Sequence, residues 1–97
     1  LALYRSILKL RDLDECCRFF EDLCAATELR AMEQRFDVAT LLSEGKVYTE
    51  IADKTGASSA TISRINRVLN FGTGCLPEVI SRSDAAPRPG EGKEGSL

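Results

Sequence analysis

The chain contains no histidine and no tryptophan, and its aromatic residues are two tyrosines and four phenylalanines. Without histidine, the commonest general base and the usual partner of a serine or cysteine nucleophile are both missing. The GxxxxGKS/T and GxSxG patterns are absent as well, so P-loop and hydrolase templates fail for want of residues. The expectation is a protein that is not an enzyme and needs no cofactor. Apolar runs are only a few residues long, far short of the roughly 20 needed to cross a bilayer. Arg5 and Lys9 also interrupt the first ten residues, so neither a membrane span nor an export signal is expected.

The four cysteines lack the spacing of a metal site or a disulfide framework. Cys16 and Cys17 are adjacent, Cys24 follows one heptad after Cys17, and Cys75 lies far beyond. No CxxC pair exists, which argues against structural zinc. Buried thiols in a reducing cytoplasm are the expectation.

What is present is a chain with 43% hydrophobic and 29% charged residues. That balance fits one helical domain, expected over residues 1–82. Leu3, Ile7, Leu8 and Leu10 open a helix-like pattern that stops at Arg11. Asp12 followed by Glu15 reads as a capping box for a helix over 13–26. Leu13, Cys16, Cys17, Phe20, Leu23 and Cys24 give it one apolar face. Thr27 is expected to cap a third helix over 28–44, with Leu29, Met32, Phe36, Ala39 and Leu42 on one stripe and Gly45 as its stop. Pro77, Pro87, Pro89 and three glycines mark a change of character after Leu76, and residues 83–97 are expected to form a disordered tail.

The informative stretch is YTEIADKTGASSATISRINRVL, from Tyr48 to Leu69, where two short helical patterns meet at Gly56. A helix-turn-helix unit needs a small residue where its helices cross, here Ala52. It needs a residue tolerant of positive φ in the turn, here Gly56. It also needs apolar residues on the inner side of the second helix, here Ile62 and Ile65. Ser58, Ser59, Ala60, Thr61, Ser63, Arg64 and Arg67 are left to face outward. They are small, hydroxylated or basic, and no acidic residue lies between Ala57 and Gly74. With Ser58 as N-cap, such a helix end can approach a major groove closely and meet phosphates and base edges. Lys46, Thr49 and Lys54 would lie near the flanking backbone.

Overall charge runs against this reading, since the chain carries a net −2. The distribution answers it in part. Residues 46–71 hold four basic against two acidic side chains, whereas 1–45 hold six against nine. A single copy would attract DNA weakly, so two copies and a shallow salt dependence are expected. The alternative is a helical protein-interaction module that uses the same unit to dock a partner.

The run TELRAMEQRFDVATLLSEGKVYTEIADKTGASSATISRINRVLNFG resembles the Trp repressor superfamily, and most closely its small YerC/YecD-type branch. The resemblance spans residues 3–80 and is most specific in Gly56, Ala57, Ala60, Thr61, Ile62 and Arg64. It implies an all-α protomer of six helices, intertwined with its twin into a homodimer. It also implies a sequence-specific regulator of double-stranded DNA, acting as a repressor on a palindromic operator with half-sites about 34 Å apart. Thr49, Ser58, Ser59, Ala60, Thr61 and Ser63 fall on positions that face DNA. The family's effector is held between two arginines. Arg64 matches one, and Arg35 matches the other after a one-residue shift, the ungapped register placing Gln34 there. Ile65 stands where the Trp repressor has glycine, and its branched side chain would intrude where a flat indole lies, so tryptophan is not the expected effector.

Overall fold

The computed structural model describes residues 1–84 in six helices: α1 (Ala2–Ile7), α2 (Leu13–Leu23), α3 (Ala26–Ser43), α4 (Tyr48–Thr55), α5 (Ser59–Phe71) and α6 (Cys75–Asp84). No strand occurs among the described residues, so the all-α expectation holds. The tail expected over 83–97 lies, from residue 85 onward, outside the described residues. Among the described residues no helix is long and apolar enough to cross a membrane.

Helix ends follow local side-chain chemistry. The Asp12 carboxylate accepts the Glu15 N–H at 2.8 Å, and Glu15 in turn accepts the Arg11 N–H at 2.9 Å. The reciprocal bond thus reaches one residue further back than in a standard capping box. Helix α2 ends at Leu23, three residues short of the expected limit, because Cys24 turns extended at φ −118° and ψ 152°. Helix α3 begins at Ala26 and not after Thr27. Glu28 accepts the Ala25 N–H at 2.7 Å, and that bond sets the start. At its far end Gly45 adopts φ 84°, the Gly45 N–H donates to the Leu42 carbonyl, and the Lys46 N–H donates to that of Leu41. These two bonds form a Schellman stop, which needs the left-handed conformation that glycine takes without a Cβ penalty.

The chain divides into two compact units, Leu1–Glu33 and the portion from Gln34 on, the division falling within α3. In the first unit no residue is fully buried. Phe19 and Phe20 pack edge to face with ring centroids 5.3 Å apart. An open apolar groove of about 330 Å³ runs along Leu13, Cys16, Cys17, Phe20, Leu29 and Met32. The cysteines are free thiols, and Cys17 and Cys75 are exposed in the single chain instead of buried.

The second unit holds the core. Val38 and Ala39 of α3, Ile51 of α4, Ala57 of the turn, Ile62 and Ile65 of α5 and Ile80 of α6 are buried together, with Leu41, Leu42, Ala52, Leu69 and Leu76 packed against them. Each valine, leucine or isoleucine side chain fully withdrawn from water contributes roughly 1.5–3 kcal/mol, and each alanine methyl less. Thr40 is buried among them, and its hydroxyl is satisfied by donating to the Phe36 carbonyl at 3.0 Å. Pro77, read from sequence as part of a break, sits in the first turn of α6, where its missing N–H costs nothing.

Candidate nucleic-acid interface

Helices α4 and α5 are joined by only Gly56, Ala57 and Ser58. Gly56 stands at φ 73° and ψ 7° and caps α4, its N–H donating to the Ala52 carbonyl at 2.9 Å. Ala57 is 5% exposed and plugs the turn into the core. Its N–H donates to the Thr55 hydroxyl oxygen at 3.1 Å, while that hydroxyl donates to the Ile51 carbonyl at 2.8 Å. From α3, the Gln34 side-chain amide donates to the Thr55 carbonyl at 3.1 Å. The turn is therefore tied on both sides.

Helix α5 opens on Ser58, in extended conformation at φ −72° and ψ 159°. Its Oγ accepts the Thr61 N–H at 3.1 Å, as the N-cap expectation required. No acidic residue stands in the first turn of α5, so no side chain of that turn offsets the positive end of the helix dipole. Ile62 and Ile65 face inward at 0% and 7% exposure. The helical period of 3.6 residues then turns Ser59, Ala60, Ser63, Arg64 and Arg67 outward, and all five are exposed. Thr61 is half-buried. Among the described residues neither Arg64 nor Arg67 makes an ion pair, so both guanidiniums keep their full donor capacity.

The flanking basic residues are less uniform. Thr49 is exposed in the first turn of α4, and Lys46 is half-buried in the connection from α3. Lys54, in the last turn of α4, pairs with Glu50 at 3.2 Å, so a phosphate would have to compete with that carboxylate. Arg35 and Arg64 are exposed on α3 and α5 respectively. Ile65 does not project outward as a barrier to a ligand. It is part of the core, and it fills its space from within.

Thr55 is not singled out by the sequence, and Gln34 and Ala57 enter there only through the family resemblance, not as residues that build the turn. A threonine immediately before the turn glycine is a visible local signal for Thr55. Gln34 acts across 21 residues of sequence, and no local pattern announces it.

The comparisons with known proteins agree with this geometry. The family described as Trp repressor protein matches residues 1–84. The uncharacterized protein YerC of Bacillus subtilis (strain 168) is 49% identical over 80 residues, which cover 82% of this chain and 77% of that one. A solved structure of a TrpR-like protein from Eubacterium eligens ATCC 27750 is 47% identical, covers 90% of each chain, and superimposes with a TM-score of 0.83. A second solved chain, from Staphylococcus aureus, is 36% identical, covers 90% of this chain and 87% of its own, and gives a TM-score of 0.82. With a family match across the whole described chain and a helix-turn-helix built as that family requires, the protein belongs to the Trp repressor family of helix-turn-helix DNA-binding regulators.

Proposed function

We propose that the protein is a sequence-specific repressor that binds a palindromic duplex operator as a homodimer, with α5 as its reading helix. The observation that carries the reading is the exposed N-terminal half of α5. It combines a serine cap, small side chains, a first turn without acidic residues and the unpaired Arg64, with Arg67 one turn further along the same exposed surface. Small residues let backbone N–H groups approach a phosphate, the Thr61 and Ala60 methyls and the hydroxyls meet base edges, and Arg64 and Arg67 reach backbone or base acceptors. Thr49 and Lys46 add contacts to the adjoining phosphates, and Lys54 joins them once released from Glu50. The chemistry is binding, and the family is one of regulators rather than enzymes.

Dimer formation is supported by apolar surface that one chain leaves uncovered. Leu13 is 72% exposed, Leu23 56% and Phe71 84%, and the first unit buries no residue fully. Exposed apolar area of this kind marks an association surface, and a twin chain would place two α5 helices one helical turn of DNA apart. Ile65, being part of the core, neither blocks nor lines an effector site on this surface.

The test pairs fluorescence anisotropy on duplex DNA with sedimentation. The reading requires a dimer at micromolar concentration and a double variant, Thr61→Ala with Arg67→Ala, that stays helical and loses specific binding. A monomer, or a double variant that binds as the parent does, would overturn it. Tight capture of a protein partner with DNA binding unaffected by these substitutions would favour the interaction-module reading.

A further inference from the structure

The turn between α4 and α5 owes its position to a side chain outside the helix-turn-helix. The Thr55 carbonyl is one of the last four of α4, which have no partner within their own helix. Gln34 supplies the partner, its Nε2 donating at 3.1 Å in a partly buried setting. Only the amide NH₂ end of glutamine suits a carbonyl acceptor, so the orientation of the amide is fixed by its partner. A Cβ built on Gly56 would stand 4.0 Å from the same nitrogen, so the Gln34 amide lies over the one turn residue that has positive φ. Two backbone N–H groups of the turn are also engaged. The Gly56 N–H is held by Ala52 and the Ala57 N–H by the Thr55 hydroxyl, and the Ala57 methyl is buried. The α5 cap, Ser58, follows immediately.

We propose that Gln34 is a positioning residue for DNA recognition, its hydrogen bond to Thr55 setting the turn so that the tip of α5 is presented in one orientation without a bound small molecule. The proposal rests on the DNA-binding reading above. Gln34 itself touches no DNA in this account. A turn held by its own intramolecular hydrogen bond avoids the population cost of a reading head that is only partly in its competent state.

Two substitutions of similar length remove the donor. Gln34→Met leaves the carbonyl unpaired, and Gln34→Glu sets a carboxylate against it. Hydrogen exchange on the free proteins, read at the amides of residues 56–61, is expected to accelerate about tenfold or more in both variants, the loss expected for a partly buried hydrogen bond. Exchange in α2 and the total helicity stay unchanged. On the duplexes that the parent protein selects from fragmented genomic DNA, both variants are expected to bind about tenfold more weakly. The ratio of selected to unselected duplex affinity falls, while the slope against log salt stays the same because no phosphate contact is lost. Variants with unaltered exchange at the turn, or with altered exchange and unaltered discrimination, would overturn the role of Gln34. If the parent protein selects no duplex, the DNA-binding reading itself fails and carries the proposal with it, an outcome distinct from the other two.

Discussion

Ser58 and Thr61 are bound to each other twice. The Thr61 N–H donates to the Ser58 Oγ, and the Ser58 hydroxyl donates to the Thr61 Oγ1, each at 3.1 Å. The cap therefore does more than end the helix. With the Ser58 proton committed and the Thr61 oxygen accepting it, the Thr61 hydroxyl proton is free to point away from the pair. Thr61 is set up as a donor.

Replacing Ser58 with alanine is expected to cost about 1 kcal/mol of stability, the usual value of such a cap. Urea denaturation of the variant checks this. DNA affinity should fall as well, because Thr61 loses the bond that orients it. Thr61→Ser should retain much of that affinity, and Thr61→Val, which keeps the shape and loses the proton, should not.

Gly56→Ala tests the turn by backbone strain alone. A Cβ there meets nothing closer than the Gln34 nitrogen at 4.0 Å, so steric overlap is absent and the cost is that of left-handed φ, about 1–2 kcal/mol. Gly56→Asn should cost less, since asparagine tolerates that region. Denaturation midpoints of the two variants give the comparison directly.

In the core, Ile62→Val is expected to cost about 0.5–1.5 kcal/mol and Ile62→Ala about 2–5 kcal/mol. Ile65→Gly, which restores the residue type of the Trp repressor at this position, removes a buried side chain and adds the helix cost of glycine, about 1 kcal/mol. The expected outcome is a loss of stability at least as large as that of Ile62→Ala, with no gain of tryptophan binding in calorimetry. Tryptophan binding by this variant at unchanged stability would contradict the place given to Ile65 in the core.

Arg64→Ala and Arg67→Ala should each lower duplex affinity and reduce the slope of log affinity against log salt by about one if the lost contact is to phosphate. A loss of sequence discrimination at unchanged slope would identify a base contact instead. Titrating the salt dependence of each single variant separates the two.

Glu15 provides a pH test at the start of α2. The Arg11 side chain, followed by the Arg11 backbone N–H, holds the Glu15 carboxyl below its ordinary pKa. A depressed carboxyl stabilises the fold above its unfolded pKa and loses that contribution as pH falls through the folded value. The order at the start of α2 should therefore weaken on acidification, and Arg11→Ala should return the Glu15 titration, followed by NMR, toward the normal carboxylate range.

Features set by neighbours in the chain were legible in the sequence. Asp12 as a cap, Gly45 as a stop, Gly56 in the turn, Ser58 at the head of α5 and the inward Ile62 and Ile65 all follow from spacings of a few residues. The start of α3 was misplaced because Thr27 is a good cap by type, whereas Glu28 bonds the Ala25 N–H and begins the helix earlier. Helix α6 was hidden because Pro77 reads as punctuation, although a proline in a first turn breaks nothing. Burial of Ala57 and Ile80, and the bond from Gln34 to Thr55, depend on elements distant in sequence, and local periodicity carries no trace of them.

The central claim is that α5 reads duplex DNA in pairs. The most direct measurement is selection from fragmented genomic DNA by the purified protein at about 150 mM salt without added ligand, followed by sequencing and repeated with Thr61→Ala. The account predicts enrichment of a palindromic site with half-sites one helical turn apart, and its loss in the variant. Recovery of no specific sequence by the parent protein, or of the same site by the variant with equal enrichment, would contradict it.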